Sequence, residues 1–236
     1  MLPSFRRGAF ALFALAFVVT MLLGDRPFAA ALELRPDDLL SGRLWWTPLT
    51  ALFRQPEGLG MLGLLWTLVV QWWLGSRLEG FWGTARYLTL ALVCGLVGLA
   101  GAAALGLVVP SIRAATFSGT APIDFAALVA FGFVFANERL LIGKREISPV
   151  IVALVAGLVV LGFPMIAALV AGAPIGAAWP SVVPAAIAGV VALVFVQPWR
   201  SRPTSGKVER AKHRGQPHLR VVRNADDMLN RLAPLA

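Results

Sequence analysis

Apolar residues gather into six long blocks separated by short polar connections. The blocks are Gly8–Gly24, Gly58–Gly75, Tyr87–Val109, Phe117–Phe135, Val150–Ala171 and Ile175–Val196. A helix needs roughly 20 apolar residues to cross the hydrocarbon of a bilayer. The pattern therefore predicts an all-α, polytopic membrane protein with six transmembrane helices. Pro122, Pro164 and Pro184 fall inside blocks, which bundled membrane helices tolerate where neighbours satisfy the freed backbone groups. Residues 1–197 form the predicted transmembrane domain and 198–236 a basic tail. Within Arg223–Leu235, Met228, Leu229 and Leu232 recur at helical spacing and predict a short amphipathic helix.

Composition sharpens this reading. The chain is 58% apolar and 14% charged over 236 residues, against about 45–50% and 25% in soluble domains, so a water-soluble globule is excluded. Lys and Arg collect in cytoplasmic loops, and here they alternate. Arg6 and Arg7, then Arg77 and Arg86, then Arg139, Lys144 and Arg145, then nine in the tail mark one side. The Asp25–Glu57 connection has four arginines against five acids, and the third loop has only Arg113. Both termini are thus expected in the cytoplasm. The first block also imitates a secretory signal peptide, with Arg6–Arg7 before it and Ala29–Ala31 after it. Its 17 apolar residues favour an anchor, and topology leaves the choice open because cleavage would not reorient the rest.

Candidate chemistry is sparse. Cys94 is the only cysteine, and both histidines, His213 and His218, lie in the tail. No disulfide, metal site or cofactor motif is expected. The basic tail lacks the aromatic or motif support of nucleic-acid binders, so lipid is its expected partner. Asp124, seven residues into the fourth block, is the polar oddity. A carboxylate at mid-helix costs about 2.5–3.5 kcal/mol to insert, and no partner is evident along the chain. It either reaches water or a bond near the outer face, or lines a polar pocket facing a client helix.

Two stretches, Gly42–Phe53 (GRLWWTPLTALF) and Leu65–Thr84 (LWTLVVQWWLGSRLEGFWGT), resemble the first outer loop and second helix of the rhomboid family of intramembrane serine proteases. That family carries Trp-Arg and Leu-Thr-x-x-Phe-x-His in the loop. Its second helix has His-x-x-x-Asn and ends in Gly-x-x-x-Glu-x-x-x-Gly-(Ser/Thr), matched here by Gly75, Glu79, Gly83 and Thr84. Thr116-Phe117-Ser118-Gly119 stands where the family has Gly-x-Ser-Gly. The resemblance covers about residues 8–197. It implies a six-helix rhomboid-like bundle with Ser118 at the nucleophile position and structural roles for Glu79, Gly83, Gly119 and Gly189.

The departures fall on the chemistry that the resemblance implies. Aligning Gly189 with the last glycine of the family's His-x-x-Gly-x-x-x-Gly puts Val182 at the base position. Thr67 and Gly63 replace the second-helix asparagine and histidine that bind the oxyanion, Thr47 replaces the arginine, and Arg54 is read at the histidine after Phe53. Loss of the base from a serine–histidine pair costs on the order of 10⁶ in turnover. Each lost oxyanion donor costs roughly 10²–10³ more. The reading preferred on these grounds is a pseudoprotease: a serine-type endopeptidase fold, catalytically silent, that binds or scaffolds transmembrane segments of client proteins. Two alternatives stand beside it, a divergent intramembrane protease using Ser118 with a substitute base, and a structural membrane subunit. Ser118 is otherwise a helix-packing residue, alongside the small-residue stripes Ser181, Ala185, Gly189 and Gly98, Ala102, Gly106.

Overall fold

A computed structural model describes residues 4–23, 29–56, 60–142, 145–170, 172, 174, 176 and 178–197. The chain there is mostly helical. Its helices are α1 (Arg7–Leu23), α2 (Pro36–Leu40), α3 (Thr47–Ala51), α4 (Gly60–Val69), α5 (Ser76–Trp82), α6 (Thr84–Leu105), α7 (Pro110–Arg113), α8 (Ala121–Val134), α9 (Pro149–Val170) and α10 (Val183–Val196). One two-stranded antiparallel ribbon, β1 (Leu140–Ile142) with β2 (Arg145–Ile147), joins α8 to α9. The basic tail and its predicted amphipathic helix lie outside the described residues.

Among the described residues, three helices are long and apolar enough to cross a membrane: Thr84–Leu105, Pro149–Ile166 and Trp179–Val196. Arg7–Leu22 and Ala121–Val134 are shorter apolar helices. This is the signature of a helical membrane protein. α8 packs against α6, α9 and α10, with α6 also against α10. Leu154, Val155, Leu158, Ile166 and Leu169 stay exposed along α9, as expected of a helix whose outer face meets lipid rather than protein.

Several boundaries differ from the apolar blocks. The second block was expected to end at Gly75, yet the helix runs on through a π-helical stretch, Val70–Gly75, into α5. Gly75 does not terminate it. A Cβ there would collide with the Tyr87 hydroxyl, so this glycine makes room for a side chain from α6. The break comes at Gly83, whose φ of +85° is open to glycine at little steric cost. The fourth helix starts at Ala121 and not Phe117, because Phe117 is bridged in extended form to Leu34 (N···O 2.8 and 2.9 Å) and Gly119 turns with φ +109°. The sixth starts at Val183 after a 3-10 turn, Trp179–Val182. Pro122 and Pro184 consequently sit in first turns, where a missing N–H costs nothing, and only Pro164 lies within a helix.

Glu79 joins the start of α1 to the α5–α6 turn. Its carboxylate accepts from the backbone N–H of Gly8 (3.0 Å) and Ala9 (2.9 Å) and from Thr84 Oγ1 (2.6 Å). Free N–H groups of a first helical turn favour a carboxylate. Gly189 abuts Phe125 of α8, whose ring would overlap any Cβ. Gly98 faces Pro184 and Ala188 across the α6–α10 contact, where a Cβ would lie 2.5 Å from the Pro184 carbonyl oxygen.

Candidate functional site

The segment before α4, α4 itself and the start of α8 meet around a buried polar cluster. Asp124 is fully buried. Its Oδ1 accepts from Gln71 Nε2 at 2.9 Å, and its Oδ2 lies 2.9 Å from Thr67 Oγ1 and 3.0 Å from Thr120 Oγ1. The two threonine hydroxyls are 2.5 Å apart, and Thr67 also reaches the Gly63 carbonyl oxygen at 2.9 Å. Gln71 stands in the π-helical stretch, a device that re-aims side chains at functional sites. It accepts from the Tyr87 hydroxyl in turn. A buried carboxylate needs such donors, since desolvation without them is costly. Asp124 is therefore bonded by partners that the chain alone did not reveal, and it also borders a cavity.

That cavity has a volume of about 570 Å³. One wall is α4, through Leu62, Leu65, Trp66 and Val69, and the opposite wall is α9, through Val159, Val160, Phe163 and Pro164. Trp66 is half-buried and lines the cavity. The floor is polar: Gln55, Gly63, Ser118, Gly119, Thr120 and Asp124. Thr67 lies directly beneath, bonded to Thr120 and Asp124. Ser181 and Pro184, on either side of the half-buried Val182, line the same space.

The loop bearing Ser118 is pinned on both sides. Phe117 is bridged to Leu34, and the Gly119 N–H donates to the Ala51 carbonyl oxygen at 2.8 Å. Gln55 is set by α1, where Thr20 Oγ1 accepts from the Gln55 N–H at 3.1 Å and donates to the Phe53 carbonyl oxygen at 3.3 Å. The Gln55 side chain then donates to Thr120 Oγ1 (2.8 Å) and Thr67 Oγ1 (3.4 Å).

The residues singled out from the sequence thus divide. Ser118, Gly119, Gly63 and Asp124 meet at one cavity, with Thr67 under its floor. Elsewhere, Glu79 and Gly189 hold helices together, and Gly83 breaks the chain between α5 and α6. Arg54 is not in the site: it is buried in an ion pair with Glu33. The loop motif's own spacing, counted from Leu49, lands one residue later, on Gln55, and that residue enters the site. Thr47 is fully buried and bonds the Leu44 carbonyl oxygen at 2.8 Å. Trp45 and Trp46 are 73% and 40% exposed, because Thr47 and Ala51 take the inward positions of α3. Gln55, Gln71, Thr120 and Tyr87 were missed. Their polarity inside or beside apolar blocks was the available signal. Among the described residues no cluster of His, Cys, Asp and Glu could hold a metal ion. No family model matches the chain, and neither a curated protein nor a solved structure does.

Proposed function

We propose that this chain is a six-span, rhomboid-like pseudoprotease that holds transmembrane segments of other membrane proteins in the cavity between α4 and α9. The observation that carries the reading is the cavity itself: apolar helical walls over a polar floor that gathers Ser118, Gly119, Gly63 and Asp124, with Thr67 beneath. A membrane segment entering between the walls would keep its apolar face in apolar surroundings and set one polar group on the floor. Six spans with both termini cytoplasmic follow from the loop charges, and lipid covers the remaining outer faces.

Catalytic silence rests on residue inventory. A serine hydroxyl needs an adjacent base, and the chain's two histidines lie past Pro198. The test is site-specific photocrosslinking in native membranes from Leu65 and Phe163, which both line the cavity, with exposed Leu154 of α9 as a control away from it. Client adducts from the first two positions and not from the third are expected. Equal adducts from all three would mean lipid-facing contact and reject the cavity. A fluorophosphonate probe provides the enzymatic arm, and labelling that disappears in Ser118→Ala would replace this reading with a protease.

A further inference from the structure

Gln55 is placed in a way that its structural role alone does not require. It comes from an irregular segment, not a helix, and is 7% exposed. Its carboxamide lies across Gly63 and Gly119, where ideal Cβ atoms would stand 2.6 and 3.2 Å from Gln55 Oε1. Both neighbours are thus glycines at the one place where an amide group needs room. The Nε2 end donates to Thr120 and Thr67. The Oε1 end accepts no hydrogen bond among the described residues, and the residue lines the cavity. A primary amide therefore sits half-satisfied in a slot shaped for a primary amide.

We infer that this slot is a carboxamide-binding site with Gln55 as its resident occupant, and that an asparagine or glutamine side chain of an entering transmembrane segment displaces it. This rests on the reading of the cavity as a client site and names the chemistry the client must carry. Exchange of one carboxamide for another conserves the hydrogen bonds to Thr67 and Thr120. The gain comes from the client, whose amide finds no partner in hydrocarbon and gains two in the slot. A leucine at the same position cannot repay the loss of the Gln55 bonds, because an unpaired buried polar group is costly.

The test uses the full-length protein in lipid nanodiscs and a synthetic leucine–alanine transmembrane peptide with lysine-flanked ends. One version carries a single central asparagine and the other leucine, and each is crosslinked from Phe163. The expected capture ratio, asparagine over leucine, is at least fivefold. Gln55→Ala should raise that ratio by removing the competitor, with Gln55→Asn as the second variant, since its shorter side chain withdraws from both threonines. Thr67→Val with Thr120→Val should bring the ratio to about one, and Thr120→Ser should retain it. Equal capture of both peptides by the wild type would overturn the carboxamide site while leaving the cavity reading standing. Capture of neither peptide at Phe163 would overturn both. A ratio that falls in both Gln55 variants, in protein that elutes and melts as wild type, would make Gln55 a wall rather than a competitor and reject the inference.

Discussion

Replacing Asp124 by leucine tests whether the buried cluster is a stabilising network. Leucine keeps the branched skeleton of the aspartate side chain, but its methyl groups are bulkier than carboxylate oxygens, so some overpacking adds to the polar loss. Three donors face the carboxylate, but they do not suffer equally. Thr67 retains the Gly63 carbonyl oxygen at 2.9 Å and Thr120 retains Thr67 at 2.5 Å. Gln71 Nε2, 2.9 Å from Asp124 Oδ1, has no other acceptor among the described residues and is stranded. One stranded buried donor costs about 1–3 kcal/mol, or up to roughly two orders of magnitude in the unfolding equilibrium, since each 1.4 kcal/mol is tenfold. Asp124→Asn keeps an acceptor for the threonines. Rotation of the Gln71 amide would let it accept from the new Nδ2 and donate to Tyr87, so the expected cost is smaller. Removing the whole chain, Asp124→Leu with Gln71→Leu and Tyr87→Phe, leaves nothing stranded and should recover most of the loss. Reversible unfolding in mixed micelles, followed by tryptophan fluorescence, orders the four proteins. The reasoning fails if Asp124→Leu is as stable as wild type, or if the triple variant is no better than the single one.

Ser118→Ala should leave stability and client capture near wild type, because the hydroxyl makes none of the cluster's hydrogen bonds. Gly189→Leu should cost about 1–3 kcal/mol by overpacking against the Phe125 ring, read in the same unfolding assay; the opposite order would mark Ser118 as functional. Glu79→Gln should weaken the grip on Gly8 and Ala9, and amide exchange in the first turn of α1 should accelerate severalfold while α8 is unaffected. Uniform acceleration would show that Glu79 stabilises the bundle as a whole and not the α1 terminus. Reporters inserted near Asp37 and fused after Ala236 should report the outer side and the cytoplasm respectively, as the loop arginines require; a carboxy-terminal reporter found outside would remove one span.

What the sequence by itself determined is set by local, one-dimensional physics. Apolar block length specifies helices and the loop arginines imply an orientation, but the block edges at Gly75 and Phe117 miss the helix boundaries at Gly83 and Ala121. The grouping of Gly63, Ser118 and Gly119 around one space, with Thr67 beside them, was suggested by the family resemblance alone and not by any local pattern. Only the tertiary structure decided the site's chemistry. Asp124 meets Gln71 across 53 residues and Thr67 across 57, and Gln55 meets Thr120 across 65, so no periodicity could pair them. The π-helical stretch that aims Gln71 inward is stabilised by Tyr87 and the space at Gly75, a three-body fit invisible to any local pattern. Gln55 was hidden for a related reason. Its neighbours in sequence say loop, and only the two missing Cβ atoms, on separate segments, show that the fold keeps a place for an amide.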